Sequence, residues 1–268
     1  MIQNEFLTEK PSILFDKFLN DYGNIFDIDN DKAKTMLRDD SLFRRLTSEW
    51  YENLDQNNLD DAFKVYDDDY YFVDIFNCYR TYSRNYIKRL LKPTMANGES
   101  VYDLLKNSAS FVDIGCGISY STCAIKTLLP NAKAYGINLK NTKQWKLCEV
   151  MAKKHDFNLI ESVHEVGHNV DFVFASEYFE HIQNPTKHIK EIIDAISPKY
   201  FIIANAFNTH SIGHFKTYEY ENALGMSSIV DQSKISAIFN KFLVKNGYEK
   251  VLCKMWNNKP TIWSRVNA

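Results

Sequence analysis

FVDIGCGISYSTCAIKTLL (111–129) is the stretch on which the reading of this chain turns. A short apolar run carries Asp113 and ends in two glycines, and a helical pattern then continues to a stop at Pro130. Strand, glycine turn and helix in that order form the opening unit of a parallel α/β sheet. Glycines at 115 and 117 allow a sharp turn and let a ligand approach the main chain. The alternation repeats downstream. AKAYGINL (132–139) predicts a second strand and 141–155 a helix; FNLIESV (157–163) predicts a third strand and VDFVFAS (170–176) a fourth. An amphipathic helix over 185–197 has Ile189, Ile192, Ile193 and Ile196 on one face, and YFIIANAF (200–207) predicts a fifth strand. An irregular segment is expected over 208–227 and a helix over 230–246. The end of the chain reads as an antiparallel hairpin with Asn257-Asn258 in its turn. The expected class is α/β, a doubly wound, mostly parallel sheet covered on both faces. Such sheets bind ligands beyond the carboxyl ends of their strands, here just after 114, 139, 163, 176 and 207.

Upstream the period changes. Apolar residues recur at helical steps in Phe6, Ile13, Leu14 and Phe18, and again in Met36, Leu37, Leu42, Phe43 and Leu46. A long helical segment over 59–92, crowded with Tyr and Phe, stops at Pro93, and Asn97-Gly98 marks a turn. The chain is therefore divided into a helical region, 1–100, and an α/β domain, 101–268. With 32 Lys+Arg against 34 Asp+Glu the net charge is −2, split as −6 over residues 1–100 and +4 over the rest. No global positive field favours nucleic acid. No apolar run reaches the ~20 residues of a membrane span, and MIQNEFLTEK lacks the pattern of a secretory leader. Five cysteines without a CxxC predict reduced thiols, a cytoplasmic location and no zinc or other metal site.

A dinucleotide fingerprint would need a third glycine, or alanine, at 120, where the chain has Tyr; no GKS or GKT follows for a Walker loop. VDIGCGIS (112–119), DFVFASEYFEHI (171–182), IANAF (203–207) and the terminal hairpin together resemble the class I S-adenosylmethionine-dependent methyltransferases. The resemblance spans 101–268. It implies a seven-stranded sheet closed by an antiparallel hairpin, S-adenosyl-L-methionine as cofactor, and methyl transfer as the reaction. It assigns cofactor contacts to Asp113, Gly115, Cys116 and Gly117 at the turn, Asn138 and Leu139 after the second strand, Ser162 after the third, and Ser176 and Glu177 after the fourth. Two departures stand out. Ser119 replaces the motif's third glycine, and Asn138 stands where the family usually has an acid that accepts from the ribose diol. The Asn138 amide oxygen can accept one such bond, without a carboxylate's charge.

Displacement at a sulfonium needs alignment first, and a base only if the acceptor must lose a proton. Candidate catalytic residues are Glu180 and His181, in the fourth-strand motif, and His214 in the 208–227 insertion, with His210 beside it. In the helical region Tyr66, Phe72 and Phe76 read as core. Some of Tyr70, Tyr71, Tyr79 and Tyr82 could instead roof the site. Asp67-Asp68-Asp69 reads as a solvated face, or alternatively as a collar for a cationic substrate. The expected partner is a small or medium-sized acceptor whose pocket the helical region and the insertion shape. Competing readings are an RNA methyltransferase, although Ser176-Glu177-Tyr178-Phe179 holds none of the prolines that amino-methylating nucleic-acid enzymes carry at that position, and an inactive interaction module of the same fold. The oligomeric state is not encoded in any motif.

Overall fold

Polar side chains that cap helices set much of the architecture of the first hundred residues. The computed structural model describes residues 4–221, 225–254 and 261–266. Its N-terminal part holds α1 (Glu5–Thr8), α2 (Pro11–Phe26), α3 (Asn30–Met36), α4 (Asp40–Asp55), α5 (Leu59–Ala62), α6 (Asp69–Cys78) and α7 (Arg84–Leu90). Asp29, Asp39, Asn58 and Asp68 each accept from an amide in the first turn of the helix they precede, which employs several of the region's surplus acids. The single helix expected over 59–92 is interrupted twice. A 3₁₀ turn, Phe63–Asp67, ends where Asp68 adopts extended backbone to cap α6, and a wide π-helical turn, Tyr79–Ser83, separates α6 from α7. Such turns are frequent at functional sites, because they shift the faces that the flanking helices present. Gly98, at φ +83°, completes the expected turn ahead of α8 (Val101–Leu105), which a Ser100–Asp103 capping box starts.

The remainder alternates as read: β1 (Ser110–Ile114), α9 (Tyr120–Leu128), β2 (Lys133–Ile137), α10 (Lys143–His155), β3 (Asn158–Ile160), β4 (Phe172–Ser176), α11 (Pro185–Ile196) and β5 (Tyr200–Ala204). Then come β6 (Thr217–Glu221), β7 (Ser227–Asp231), α12 (Gln232–Lys245), β8 (Tyr248–Lys250) and β9 (Thr261–Arg265). Seven strands lie in the order β3-β2-β1-β4-β5-β9-β8; β1 to β5 run parallel, and β9 is antiparallel to both its neighbours. The closing antiparallel pair is present, while Asn257-Asn258 lie outside the described residues. One expectation is corrected: the segment read as irregular over 208–227 contains β6, which pairs with β7 as a separate two-stranded sheet, Tyr218 opposite Val230. Tyr218 is fully buried while its neighbours Thr217, Glu219 and Glu221 are not, so the strand carries too little apolar signal to announce itself.

Successive strand residues point to opposite faces. Phe111 and Phe172 therefore join Phe6, Phe18, Phe72 and Phe76 in one core, and Val112 and Val173 join Trp50, Ile189 and Phe201 in the other. The helical region thus contributes to both faces of the sheet. Polar ties reinforce this: Asn4 Nδ2 donates to the Ala124 carbonyl at 2.9 Å, Tyr79 Oη to the Phe6 carbonyl at 2.7 Å, and buried Arg84 to the carbonyls of Leu7 and Glu9.

Candidate active site

Strand order reverses between β1 and β4, which opens a crevice at their carboxyl ends. A cavity of about 530 Å³ lies there, within the usual range for small-molecule sites. Its floor is the turn after β1. Gly115 and Gly117 have φ of +67° and +56°, where a Cβ is strained. A Cβ on Gly115 would stand 2.2 Å from the Tyr178 ring, and one on Gly117 2.9 Å from Ile75 Cγ2. Ser119 also sits in the left-handed region, at φ +62°, which is why glycine suits its place in the motif. The turn is held from below. The Cys116 amide donates to the Ile137 carbonyl at 3.0 Å, and Asn138 Nδ2 donates to the Gly117 carbonyl at 2.7 Å. Asn138 Oδ1 accepts from the Leu139 amide at 2.8 Å, and an amide oxygen has a second lone pair.

Asp113 is fully buried and accepts from Ser121 Oγ and Thr122 Oγ1, both at 2.6 Å. It anchors the first turn of α9, and burial pushes its carboxyl up to about 6. Tyr120 packs among Phe6, Phe18, Phe76 and Tyr79 with ring centroids 4.9 to 5.8 Å away, so its bulk joins the helical region to α9.

The π-helical turn and its flanks form the roof. Ser83 Oγ lies 2.8 Å from Ser176 Oγ, and Tyr86 Oη donates to Glu177 Oε1 at 3.0 Å, which latches the roof to the end of β4. Ile75, Tyr79 and Tyr82 line the same wall.

The far end is aromatic and carries two histidines. His181 Nδ1 is 3.1 Å from the Tyr66 hydroxyl, and its ring meets that of His214 edge-on at 4.8 Å. Burial, then the neighbouring His214, holds the His181 imidazole well below its ordinary range, so it is neutral near pH 7. His214 Nδ1 lies 2.8 Å from the Thr209 carbonyl, which can only accept. The neutral ring therefore carries its proton on Nδ1 and its basic lone pair on Nε2. Gly213 makes the pairing possible, because a Cβ there would stand 2.1 Å from Tyr66 Oη and 2.4 Å from His181 Nδ1. Trp50 Nε1 donates to the His214 carbonyl at 2.6 Å and Lys216 pairs with Asp55 at 2.7 Å, fastening this loop to α4.

These contacts rest on a segment with a wider likeness. Residues 112–203, from β1 through β5, match the family model described as a methyltransferase domain. The matched segment is that of a methyltransferase domain. No curated protein matches the sequence. Among solved structures, the N-terminal domain of EvdMO1 with SAH bound is similar at 12% identity and a TM-score of 0.41, over 62% of this chain and 78% of that one. An O-methyltransferase family protein from Burkholderia thailandensis is similar at 9% identity and a TM-score of 0.42, over 62% and 55%. The plantazolicin methyltransferase BpumL, in complex with a pentazolic desmethylPZN analog and SAH, is similar at 17% and 0.39, over 66% and 61%. The chain thus spans less than two thirds of the length of the last two. Likenesses this distant carry nothing about the ligands of those proteins to this chain.

Asp113, Gly115, Cys116, Gly117, Asn138, Leu139, Ser176, Glu177, His181 and His214 all line the cavity described above. Ser162 and Glu180 do not. Ser162 Oγ caps the short turn 163–165, and the preceding residue, Glu161, lines the cavity with Lys140 at 2.6 Å. Glu180 is fully buried, with Oε1 accepting from the Ala206 amide at 2.9 Å. His210 stacks on Tyr51 at 4.0 Å, away from the lining. Tyr66, read as core, packs against the second core and also lines the cavity, whereas Phe72 and Phe76 belong to the first core. Tyr71, Tyr79 and Tyr82 line the cavity while Tyr70 is buried outside it. The 67–69 run is surface structure: Asp68 pairs with Arg45, and Asp69 with Lys32 and Lys143. The sequence reading passed over Asp74, Gln144, Glu161 and Gly213; a lone acid inside the aromatic run YYFVDIFNCY was the available signal for Asp74. Among the described residues no group of three His, Cys, Asp or Glu is gathered as a metal ion would need, and no helix is long and apolar enough to cross a membrane.

Proposed function

We propose that this protein transfers the methyl group of S-adenosylmethionine to a small or medium-sized acceptor by in-line displacement. The observation that carries this reading is the continuity of the cavity, which runs from the glycine turn to the histidine pair under a roof of helices. Its lining suits the cofactor. Glycines leave the main chain open, and Asn138, Glu161, Ser176 and Glu177 offer acceptors along the strand ends. Aromatic and acidic side chains favour a cation by about 0.5–2 kcal/mol per aromatic face. When bound, the cofactor supplies an electrophilic methyl group on a sulfur that leaves with the bonding electron pair without acid assistance.

The protein's own residues align and deprotonate. The glycine turn and the ends of β2 and β4 hold one reactant. Tyr66, Tyr71, Ile212 and the roof bound the other and exclude water, the arrangement that makes such displacements fast. An acceptor proton passes to His214 Nε2, whose tautomer the Thr209 carbonyl holds. Neutral His181 positions Tyr66 and packs against the His214 ring.

Calorimetry with S-adenosylhomocysteine and transfer of a tritiated methyl group test the reading. Binding is expected, and His214→Ala is expected to lower single-turnover rates by about 10²-fold or more while cofactor affinity stays within about twofold. Absence of binding would leave an interaction module. Unchanged rates in both His181→Ala and His214→Ala would remove the base.

A further inference from the structure

The charges of the cavity are one-sided. Its lining contains Asp74, Asp113, Glu161 and Glu177 and, among the described residues, no Lys or Arg. A phosphate or carboxylate on the acceptor would meet repulsion there with no counter-ion. Three of the four acids are already engaged: Asp113 by Ser121 and Thr122, Glu161 by Lys140, Glu177 by Tyr86. Asp74 is different. It is 9% exposed, and among the described residues no hydrogen bond or ion pair reaches its carboxylate.

A carboxylate that faces a cavity with little water contact and no protein partner is stabilised when a cation pairs with it. The surroundings of Asp74 sharpen the point. It lies one helical turn from Tyr71 and from Cys78 on α6, with both neighbours in the cavity wall. Tyr71 packs edge-on against Tyr66 at 4.6 Å, and Tyr66 reaches His181, so a chain of rings links the wall that carries Asp74 to the histidine end of the cavity. Aromatic faces beside one carboxylate form a site for an organic cation. Burial alone raises the Asp74 carboxyl to about 6, which leaves it ionised near neutral pH and ready to pair.

We infer that the acceptor is an organic amine whose ammonium group is held by Asp74 between the Tyr71 and Tyr82 side chains. Asp74 is then a specificity residue of the site, and this inference rests on the methyl-transfer reading above. It concerns recognition of the cationic group and holds whether that nitrogen or another atom receives the methyl.

The test uses the full chain with tritiated S-adenosylmethionine. Two pools are offered: arylalkylamines with aliphatic di- and triamines, and alcohols and carboxylates of matched carbon skeletons. Label is expected in the amine pool alone. With the best amine, Asp74→Asn should raise KM by about 10–100-fold, the usual consequence of removing one partner of a buried charge pair. Its affinity for S-adenosylhomocysteine should stay within about twofold and its melting temperature should match or exceed wild type, because an unpaired buried charge has been removed. Label in the neutral or carboxylate pool overturns the inference. So does an unlabelled amine pool from a protein that binds S-adenosylhomocysteine, or an Asp74→Asn variant that loses cofactor affinity instead of amine affinity. A wild-type protein that binds no S-adenosylhomocysteine refutes the methyl-transfer reading itself, a result distinct from all of these.

Discussion

Substituting alanine at Gly115 tests the geometry of the cavity floor. The added Cβ would stand 2.2 Å from Tyr178 Cδ2 and 2.9 Å from Cε2. The ring cannot simply swing away, since its hydroxyl lies 3.0 Å from His188 Nε2 and its face packs against Phe179 and His188. Overpacking of this kind costs about 1–3 kcal/mol. Holding alanine at φ +67° adds about 1–2 kcal/mol. The total, roughly 2–5 kcal/mol, corresponds to a fall in Tm of roughly 5–15 °C for a chain of this size. A double-mutant cycle separates the two causes. Combining Gly115→Ala with Tyr178→Ala should recover the steric part, so the pair should be less damaging than the sum of the singles by about 1–3 kcal/mol. The backbone part should persist in the double variant. Urea unfolding followed by circular dichroism measures all four proteins, and titration with S-adenosylhomocysteine should show weakened binding in the single Gly115 variant. A melting temperature within about 2 °C of wild type, or strictly additive effects, would refute the wedge of Tyr178 against the turn.

Two other outcomes follow from buried groups. Asp113 has a folded-state value near 6 against an ordinary 3.8, so the native state holds the extra proton between those values. Relative to Asp113→Asn, wild type should lose on the order of 3 kcal/mol of stability as pH rises from about 4 to 6 and no more above that; parallel urea-stability curves for the two proteins would contradict the assignment. Trp50→Phe removes the indole donor from the His214 carbonyl. It should cost about 1–3 kcal/mol by leaving a buried carbonyl unmatched and raise the acceptor KM more than the cofactor Kd, whereas equal changes in both would argue against a role for α4 in holding the acceptor loop.

The sheet was readable because its strands are buried on both faces: Ser110–Ile114 is buried at every position, so Phe111, Val112 and Ile114 stand as one apolar run. The same logic failed for β6, whose single deeply buried residue, Tyr218, serves one side of a two-stranded sheet. Helical periodicity located the N-terminal helices but could not show where 59–92 breaks, because five-residue 3₁₀ and π turns are too short to display a period of their own. Around the cavity, residues placed by strand ends were legible as neighbours: Gly115, Asn138, Ser176 and His181 all face one space. Ser162 lies one position beyond Glu161, which lines the cavity, at the end of a strand only three residues long. Asp74 enters the cavity wall, and Gly213 meets Tyr66 and His181, only through the tertiary fold, which no local pattern records.

Tyr120 has a consequence for how substrate range can change. Its ring is embedded among aromatic side chains supplied by α1, α2, α6 and the turn that follows α6, so the roof and the sheet share one interior. The first hundred residues cannot be exchanged as a cassette without exposing that interior to water. New specificities must instead arise by side-chain replacement on a roof that stays in place.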